Sequence, residues 1–536
     1  MADEVRESES KRQSEARQSE ARESEAAHGA PELVHREEGV GEHGECLTSF
    51  WEPPRILQTW EHKRAHGEIE HAVTWDELFF DLSLVAAIAS ASTSLDFWQH
   101  HGAHDDGGHH DDGGHHDDGG HDDHGGHDDD HHRLLSGHAG ATMPFGASIA
   151  HFCLVTGMIT SCFVKATVQN ATVKSKDLTM VLSLFVRACC VLAIGAEAGL
   201  GAERLHNVFA SYACYNVVGL AQGLVILRYT RTSNALNLSV ASGASGVVSL
   251  AFAAALAPWG LDWDATTGIY VAWGVCAPFF FMGHALVHVV RAVLRKGAPS
   301  AWVLLPLNVS FVSERDGLLV IVTCGEAINA ASAILGRAAG STNLTATAVA
   351  AMLCGLLLKL MYFELQGHVG EHALRAGVLR GTAFGLLHLP LWTGIAGVGA
   401  ALHLASGDRG NDWRPRERRL FCGFLAATLV TLAAIQMTHL GRGAARRRVR
   451  GELRIAVRLA GAGIIAGLVW LPDAVHAMDI VLVAAAVMLA DFLFEFYGRR
   501  PPLEDRAKDV ELARPSVGAA VGAPEANPEA PAKDVV

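Results

Sequence analysis

What this sequence has least of is charge. Only 19% of its 536 residues are Asp, Glu, Lys or Arg, against about a quarter in an ordinary soluble domain. Basic residues are the scarcer sign: 43 Lys and Arg stand against 57 Asp and Glu, a net charge of −14. That excludes the electropositive footprint of a nucleic-acid-binding protein. There are 10 cysteines but no CxxC pair. Most of them fall in apolar runs, where they read as small buried hydrophobes rather than redox or zinc ligands. Met1-Ala2-Asp3-Glu4 lacks the basic-then-apolar plan of a signal peptide, so the first spanning helix is expected to act as its own insertion signal. No Ser/His/Asp set, complete metal motif or phosphate loop is visible, so no enzymatic activity is expected. No internal repeat of the kind common in transporters stands out.

What remains is apolar sequence in long pieces. Half of all residues are hydrophobic, and they collect into runs of about 20 residues, the length a helix needs to cross a bilayer core of about 30 Å. Twelve spans are expected, near 75–95, 146–168, 178–200, 206–229, 236–257, 267–290, 312–335, 344–364, 381–404, 418–440, 453–471 and 474–497. The runs are long and do not alternate with period two, which points to helices rather than strands. The expected fold is therefore all-α, a polytopic transmembrane helical bundle. Residues 1–74 are polar. In them Arg12-Gln13-Ser14-Glu15-Ala16 recurs as Arg17-Gln18-Ser19-Glu20-Ala21, and the region is expected to be largely disordered and cytoplasmic. Residues 75–497 form the membrane domain, interrupted by a loop at 98–144, and 498–536 form a disordered tail.

Lys and Arg set the orientation. They follow the even-numbered spans, as in Lys174 and Lys176, Arg291, Arg295 and Lys296, and Arg446, Arg447, Arg448 and Arg450. Both termini are then cytoplasmic. The arginines from Arg409 to Arg419, after the ninth span, run against the scheme.

A charged side chain at mid-membrane costs roughly 2.5–3.5 kcal/mol on insertion scales, and a Leu or Val returns only about 0.3–0.6 kcal/mol. Acids inside spans therefore need a reason. The first span opens Trp75-Asp76-Glu77-Leu78-Phe79-Phe80-Asp81-Leu82. Glu77 and Asp81 are four apart and share a face, where two acids repel unless a cation or proton is shared. A helix start, where acids favour the positive dipole end, accounts for Glu77 better than for the deeper Asp81. The seventh span carries Glu314-Arg315-Asp316-Gly317 and, twelve residues after Glu314, Glu326. That separation is about 18 Å along a helix, so one of the two acids is deep. Lys359 either pairs with an acid on a neighbouring helix or snorkels to the interface, and Glu364 lies at a span edge. Arg187 and Glu197 in the third span, Lys165 near the end of the second, and Asp491 and Glu495 in the last complete the set. Among the histidines near spans, His388 is a candidate, and His284 with His288 form a two-ligand face lacking a third ligand.

Three of these segments resemble the low temperature requirement protein A family. Its opening signature, Trp-Leu-Glu-Leu-Phe-Phe-Asp-Leu, is similar to Trp75–Leu82. Its second, Glu-Arg-Phe-Gly-Leu followed by an aliphatic run and Gly-Glu, is similar to Glu314–Leu318 through Gly325-Glu326. Its Tyr-Phe-acid step is matched by Tyr362-Phe363-Glu364, and the His388–Leu391 stretch and the Pro53-Pro54-Arg55 lead-in also look familiar. The resemblance covers roughly residues 50–500. Asp76, Asp316 and Phe311 depart from it, standing where an apolar residue, a Phe and a His are usual. It implies a polytopic membrane protein linked by name to growth in the cold, and supplies no biochemical activity.

Between the first two spans runs Gly108-His109-His110-Asp111-Asp112-Gly113-Gly114-His115-His116-Asp117-Asp118, with period six. Gly and charge exclude a packed core here. His109, His110, Asp111, Asp112, His115 and His116 are residue types that bind divalent metals weakly, and the loop resembles those of zinc transporters. A simple-sequence expansion tolerated in an exposed loop accounts for it somewhat better than a functional site does. No other cofactor is expected, and the partners are the lipid bilayer and a small cation or proton. Three functions follow. The first is a cation- or proton-coupled transporter or channel built on Glu77, Asp81, Glu314, Arg315, Glu326, Lys359, Glu364 and His388. The second is a non-transporting membrane sensor or scaffold in stress adaptation. The third is divalent-metal handling by the loop.

Overall fold

A computed structural model of the chain describes residues 50–51, 53–57, 63, 73–98, 143–174, 177–257, 264–275, 308–338, 340–365, 372–375, 378–405, 413–439, 449–472 and 475–499. Eleven long helices dominate them: α1 (Trp75–Ser92), α2 (Phe145–Asn170), α3 (Leu178–Gly199), α4 (Leu205–Thr230), α5 (Ser233–Leu256), α6 (Val309–Arg337), α7 (Thr342–Leu365), α8 (Val378–Ala405), α9 (Pro415–His439), α10 (Gly451–Gly467) and α11 (Ala477–Arg499). All eleven are long and apolar enough to cross a bilayer. They match eleven of the twelve expected spans. The twelfth, expected at 267–290, is helical over 265–275, and the rest of it lies outside the described residues, as do the polar N-terminal repeat, the His/Asp loop and the C-terminal tail.

The membrane assignment follows from which faces are apolar on the outside. Phe79, Leu82, Leu182, Phe185, Leu192, Val247, Leu250 and Leu493 are all exposed on spanning helices. A soluble bundle would bury such a stripe, whereas hydrocarbon is its natural surroundings. The chain is an integral, multi-pass membrane protein.

Local sequence explains several helix ends. Thr74 caps α1: Glu77 N–H donates to Thr74 Oγ1 at 3.4 Å, and Thr74 N–H donates to Glu77 Oε2 at 2.8 Å, a reciprocal capping box. Asp177 caps α3 by accepting from Met180 N–H at 2.7 Å. Asn308 caps α6 by accepting from Phe311 N–H at 3.1 Å. Within α8, Pro390 removes one backbone donor, leaving the Leu386 carbonyl without its helical partner.

Without a hydrophobic drive between helices in lipid, small residues decide which helices meet. Gly195 and Gly199 of α3 lie against α1. A Cβ on Gly195 would sit 2.5 Å from Ala87 Cα, and one on Gly199 2.7 Å from Ser90 O. Gly219 and Gly223 of α4 face Ser242 and Ser239 of α5 in the same way, and Gly397 of α8 receives the Phe424 ring of α9. α2 and α8 are the most enclosed spans, 78% and 72% buried over their central windows, against 33% for α3. They form the middle of the bundle, and α3, α4, α5, α10 and α11 its periphery. A short antiparallel ribbon, β1 (Arg55–Ile56) with β2 (Val173–Lys174), pairs Arg55 with Lys174 and Ile56 with Val173. Phe50 O also accepts from Thr179 N–H at 3.3 Å. The Pro53-Pro54-Arg55 lead-in is thereby tied to the turn between α2 and α3.

Candidate functional site

Much of the buried charge lies toward one end of the bundle. Ala171 after α2, Phe311 and Val312 at the start of α6 and Leu374 before α8 pack together there. Because successive spans alternate in direction, the first turns of α1, α3, α6 and α10 and the last turns of α2, α9 and α11 share that end.

At the α1–α6 contact, Arg315 holds Asp81 with both terminal nitrogens, Nη1 to Oδ2 at 2.7 Å and Nη2 to Oδ1 at 2.8 Å. Both residues are buried. The guanidinium also lies 5.0 Å from the centre of the Phe163 ring on α2. A paired fork of this kind fixes geometry as well as charge, and it answers the repulsion anticipated between Glu77 and Asp81. Glu77, one turn earlier, serves the capping box and accepts from Asn170 Nδ2 at 2.6 Å, which joins α1 to the end of α2. Asp316 is buried beside Arg315, yet the arginine turns to Asp81 on another helix rather than to its chain neighbour.

Four charges interlock between α10 and α11. Arg454 Nη1 meets Glu495 Oε1 at 2.6 Å, and Arg458 Nε meets Asp491 Oδ2 at 3.0 Å. Gln436 of α9 donates to Glu495 Oε1 at 3.0 Å and accepts from Arg458 Nη1 at 3.2 Å, so its amide bridges the pairs. Two cations at i and i+4 face two acids at i and i+4, all buried.

On α8, His388 Nδ1 lies 2.7 Å from the Phe384 carbonyl and Nε2 lies 3.0 Å from the Tyr362 hydroxyl. A carbonyl can only accept, so Nδ1 carries the hydrogen and in the neutral ring Nε2 accepts from Tyr362. His372 meets the Phe384 ring edge-on at a centroid distance of 4.8 Å, and His439 stacks on it at 5.2 Å. Among the described residues no group of three or more His, Cys, Asp and Glu has the arrangement to hold a metal ion.

Glu326 stands apart from these clusters. It lies eleven residues beyond Arg315 on α6, about 16 Å along the axis and past the helix midpoint. It is buried, and among the described residues its Oε1 has no hydrogen-bond partner. The Asn329 amide, one turn on, is its polar neighbour. Gly399 of α8 packs directly on its Cβ, so the carboxyl is held in the α6–α8 seam. The small residue that meets this acid comes from the opposite helix, Gly399, and not from the adjacent Gly325, whose added Cβ would meet nothing within 4 Å.

The structure separates the remaining candidates. Glu314 is exposed, on the opposite side of α6 from Arg315, because neighbouring helical residues are turned about 100° apart. Lys359 is also exposed on α7 and forms no ion pair among the described residues. It is therefore not the interior charge partner anticipated for the acids, and its ammonium has α7's nearby end to reach along. The Glu364 side chain falls outside the described residues, as do His109, His110, Asp111, Asp112, His115, His116, His284 and His288. Arg454 and Arg458 were not anticipated. The signal was present: arginines four apart on one span and acids four apart on the next, at spacings that face each other across an antiparallel pair.

A family model described as bacterial low temperature requirement A protein matches residues 132–489. The matched stretch contains the Glu314–Glu326 and Tyr362-Phe363-Glu364 segments and His388, whereas the Trp75–Leu82 segment precedes it. Neither a curated protein nor a solved structure matches the chain. With a helical membrane bundle on the page and more than half of the chain matched, the protein belongs to the low temperature requirement A family.

Proposed function

We propose that this chain is a permeation protein that moves a proton or a small cation through the bundle, with Glu326 as the intramembrane binding carboxylate. The observation that carries the reading is the Oε1 of Glu326, buried past the middle of α6 with no hydrogen-bond partner among the described residues. Ionisable residues inside membrane helices are functional candidates by default because insertion disfavours them. Most other buried acids here have an evident structural partner: Asp81 has Arg315, Asp491 has Arg458, Glu495 has Arg454 and Gln436, and Glu77 has Asn170. Among the described residues Glu326 has no cation of its own and only Asn329 as polar neighbour, and a proton or a desolvated cation is the simplest species to complete it. The Asp81–Arg315 pair, about 16 Å away along α6, supplies the second fixed charge on the same helix. By the distribution of Lys and Arg, the end carrying Asp81 faces the cytoplasm.

The test is proton and cation flux in proteoliposomes, comparing wild type with Glu326→Gln. Flux that disappears in a variant with unchanged folding supports the assignment. Absence of flux from wild type across a broad ion panel refutes it and leaves the sensor or scaffold reading, which the fully matched charges between α10 and α11 favour.

A further inference from the structure

The interior shared by α2, α3 and α4 holds two cations and, among the described residues, no acid that pairs with them. Lys165 on α2 and Arg187 on α3 are 4% and 2% exposed. The other arginine clusters in the membrane face carboxylates, as Arg315 does Asp81 and Arg458 does Asp491. Lys165 Nζ donates only to neutral oxygens, Asn216 Oδ1 at 2.6 Å and the Tyr212 hydroxyl at 3.1 Å. Arg187 Nη1 donates to Gln169 Oε1 at 3.0 Å, and its buried Nε–H has no acceptor among the described residues.

The two cations are neighbours. Gln169 is one turn beyond Lys165 on α2, so Lys165 and the partner of Arg187 lie on one face. Lys165 sits 5.1 Å from the Tyr212 ring centre and Arg187 5.5 Å from that of Tyr215. The two rings are parallel with centres 6.5 Å apart. Gln169 is held in turn by Gln222, which bonds Ser183. Gly219 of α4 packs beside the guanidinium, where a Cβ would lie 3.4 Å from Arg187 Nη2. Ring faces and amide dipoles weaken the repulsion of two buried like charges but do not neutralise it. Glu197, ten residues along α3 and about 15 Å away, is engaged by Asn207 at 2.9 Å. The other titratable neighbours are thiols and phenols: Cys162, Cys190, Tyr212 and Tyr215.

We propose that Lys165 and Arg187 bind a small inorganic monoanion of the chloride or nitrate class inside the membrane domain. A single negative charge completes the electrostatics, and the unpartnered Nε–H with the Lys165 ammonium supplies donors for it. Tyr212, Tyr215 and Asn216 are at most 1% exposed, so the enclosure suits an ion of few atoms rather than an organic acid. The site stands independently of any role for Glu326.

The experiment is thermal unfolding of the purified full chain in detergent, titrated with sodium chloride or nitrate against gluconate at constant ionic strength. A saturable rise in melting temperature is expected with chloride and nitrate, and its loss in Lys165→Met and Arg187→Gln. Gln169→Glu keeps the side-chain length and places a carboxylate on Arg187, giving up only the 3.3 Å bond that Gln169 Nε2 donates to Gln222. That variant should match or exceed wild-type melting in gluconate and should no longer respond to chloride. No saturable anion effect on wild type overturns the proposal. An effect that persists undiminished in Gln169→Glu, Lys165→Met and Arg187→Gln overturns it as well.

Discussion

Replacing Asp81 by Asn leaves the Arg315 guanidinium buried at 1% exposure with its bidentate partner gone. The side-chain shape is retained, so the effect is electrostatic. Removing one member of a buried pair costs about 3–5 kcal/mol, mostly because the other charge is left uncompensated. The Phe163 ring under the guanidinium offsets roughly 1–2 kcal/mol of that, leaving an expected loss of about 1–4 kcal/mol. Arg315→Gln should be similarly destabilising, since it strands Asp81. The double variant Asp81→Asn with Arg315→Gln has no stranded charge and should recover about 2–3 kcal/mol relative to the sum of the single losses. The assay is reversible unfolding in mixed detergent micelles, run as a double-mutant cycle with proton flux measured alongside. Strictly additive losses, or a loss below about 1 kcal/mol for Asp81→Asn, would refute the assignment of this contact as the electrostatic tie between α1 and α6.

Glu495→Ala removes the acceptor shared by Arg454 and Gln436 and should cost about 3–5 kcal/mol, whereas replacing Arg454, Arg458, Asp491 and Glu495 together by apolar residues of similar volume should be neutral or stabilising, both read by unfolding in detergent. Gly195→Leu forces the α1–α3 backbones apart where a Cβ already meets Ala87 Cα at 2.5 Å. It should destabilise by about 1–3 kcal/mol, while Gly463→Leu on α10, where an added Cβ meets nothing within 4 Å, should be close to neutral in the same measurement.

The amino-acid sequence by itself determined the class of this protein and most of its elements. A bilayer core needs about 20 apolar helical residues, and no other spanning structure satisfies backbone polar groups in runs of this length and pattern. The span boundaries are therefore legible to within a few residues, as with Leu178–Gly199 against an expected 178–200. Local capping was legible too: an acid in the first turn of α1 suited Glu77, and the structure closes it into a box with Thr74. That one of Glu314 and Glu326 is deep follows from their separation along one helix, and the structure makes it Glu326.

What tertiary structure alone decided is which charges meet. Asp81 and Arg315 are separated by 234 positions, and nothing in either helix specifies the other as partner. Periodicity says that Glu77 and Asp81 share a face but not that one takes a capping role and the other a cation. Glu314 and Arg315 are adjacent, yet a helix turns them to different sides, and only the position of α1 determines which is inside. Lys359 likewise has an interior or exterior fate according to how α7 is rotated against its neighbours. Rotation and neighbour choice come from small-residue contacts such as Gly195 with Ala87 and Gly399 with Glu326. Those depend on two backbones approaching closely in three dimensions, which hydrophobic periodicity does not encode in spans that are apolar nearly all round.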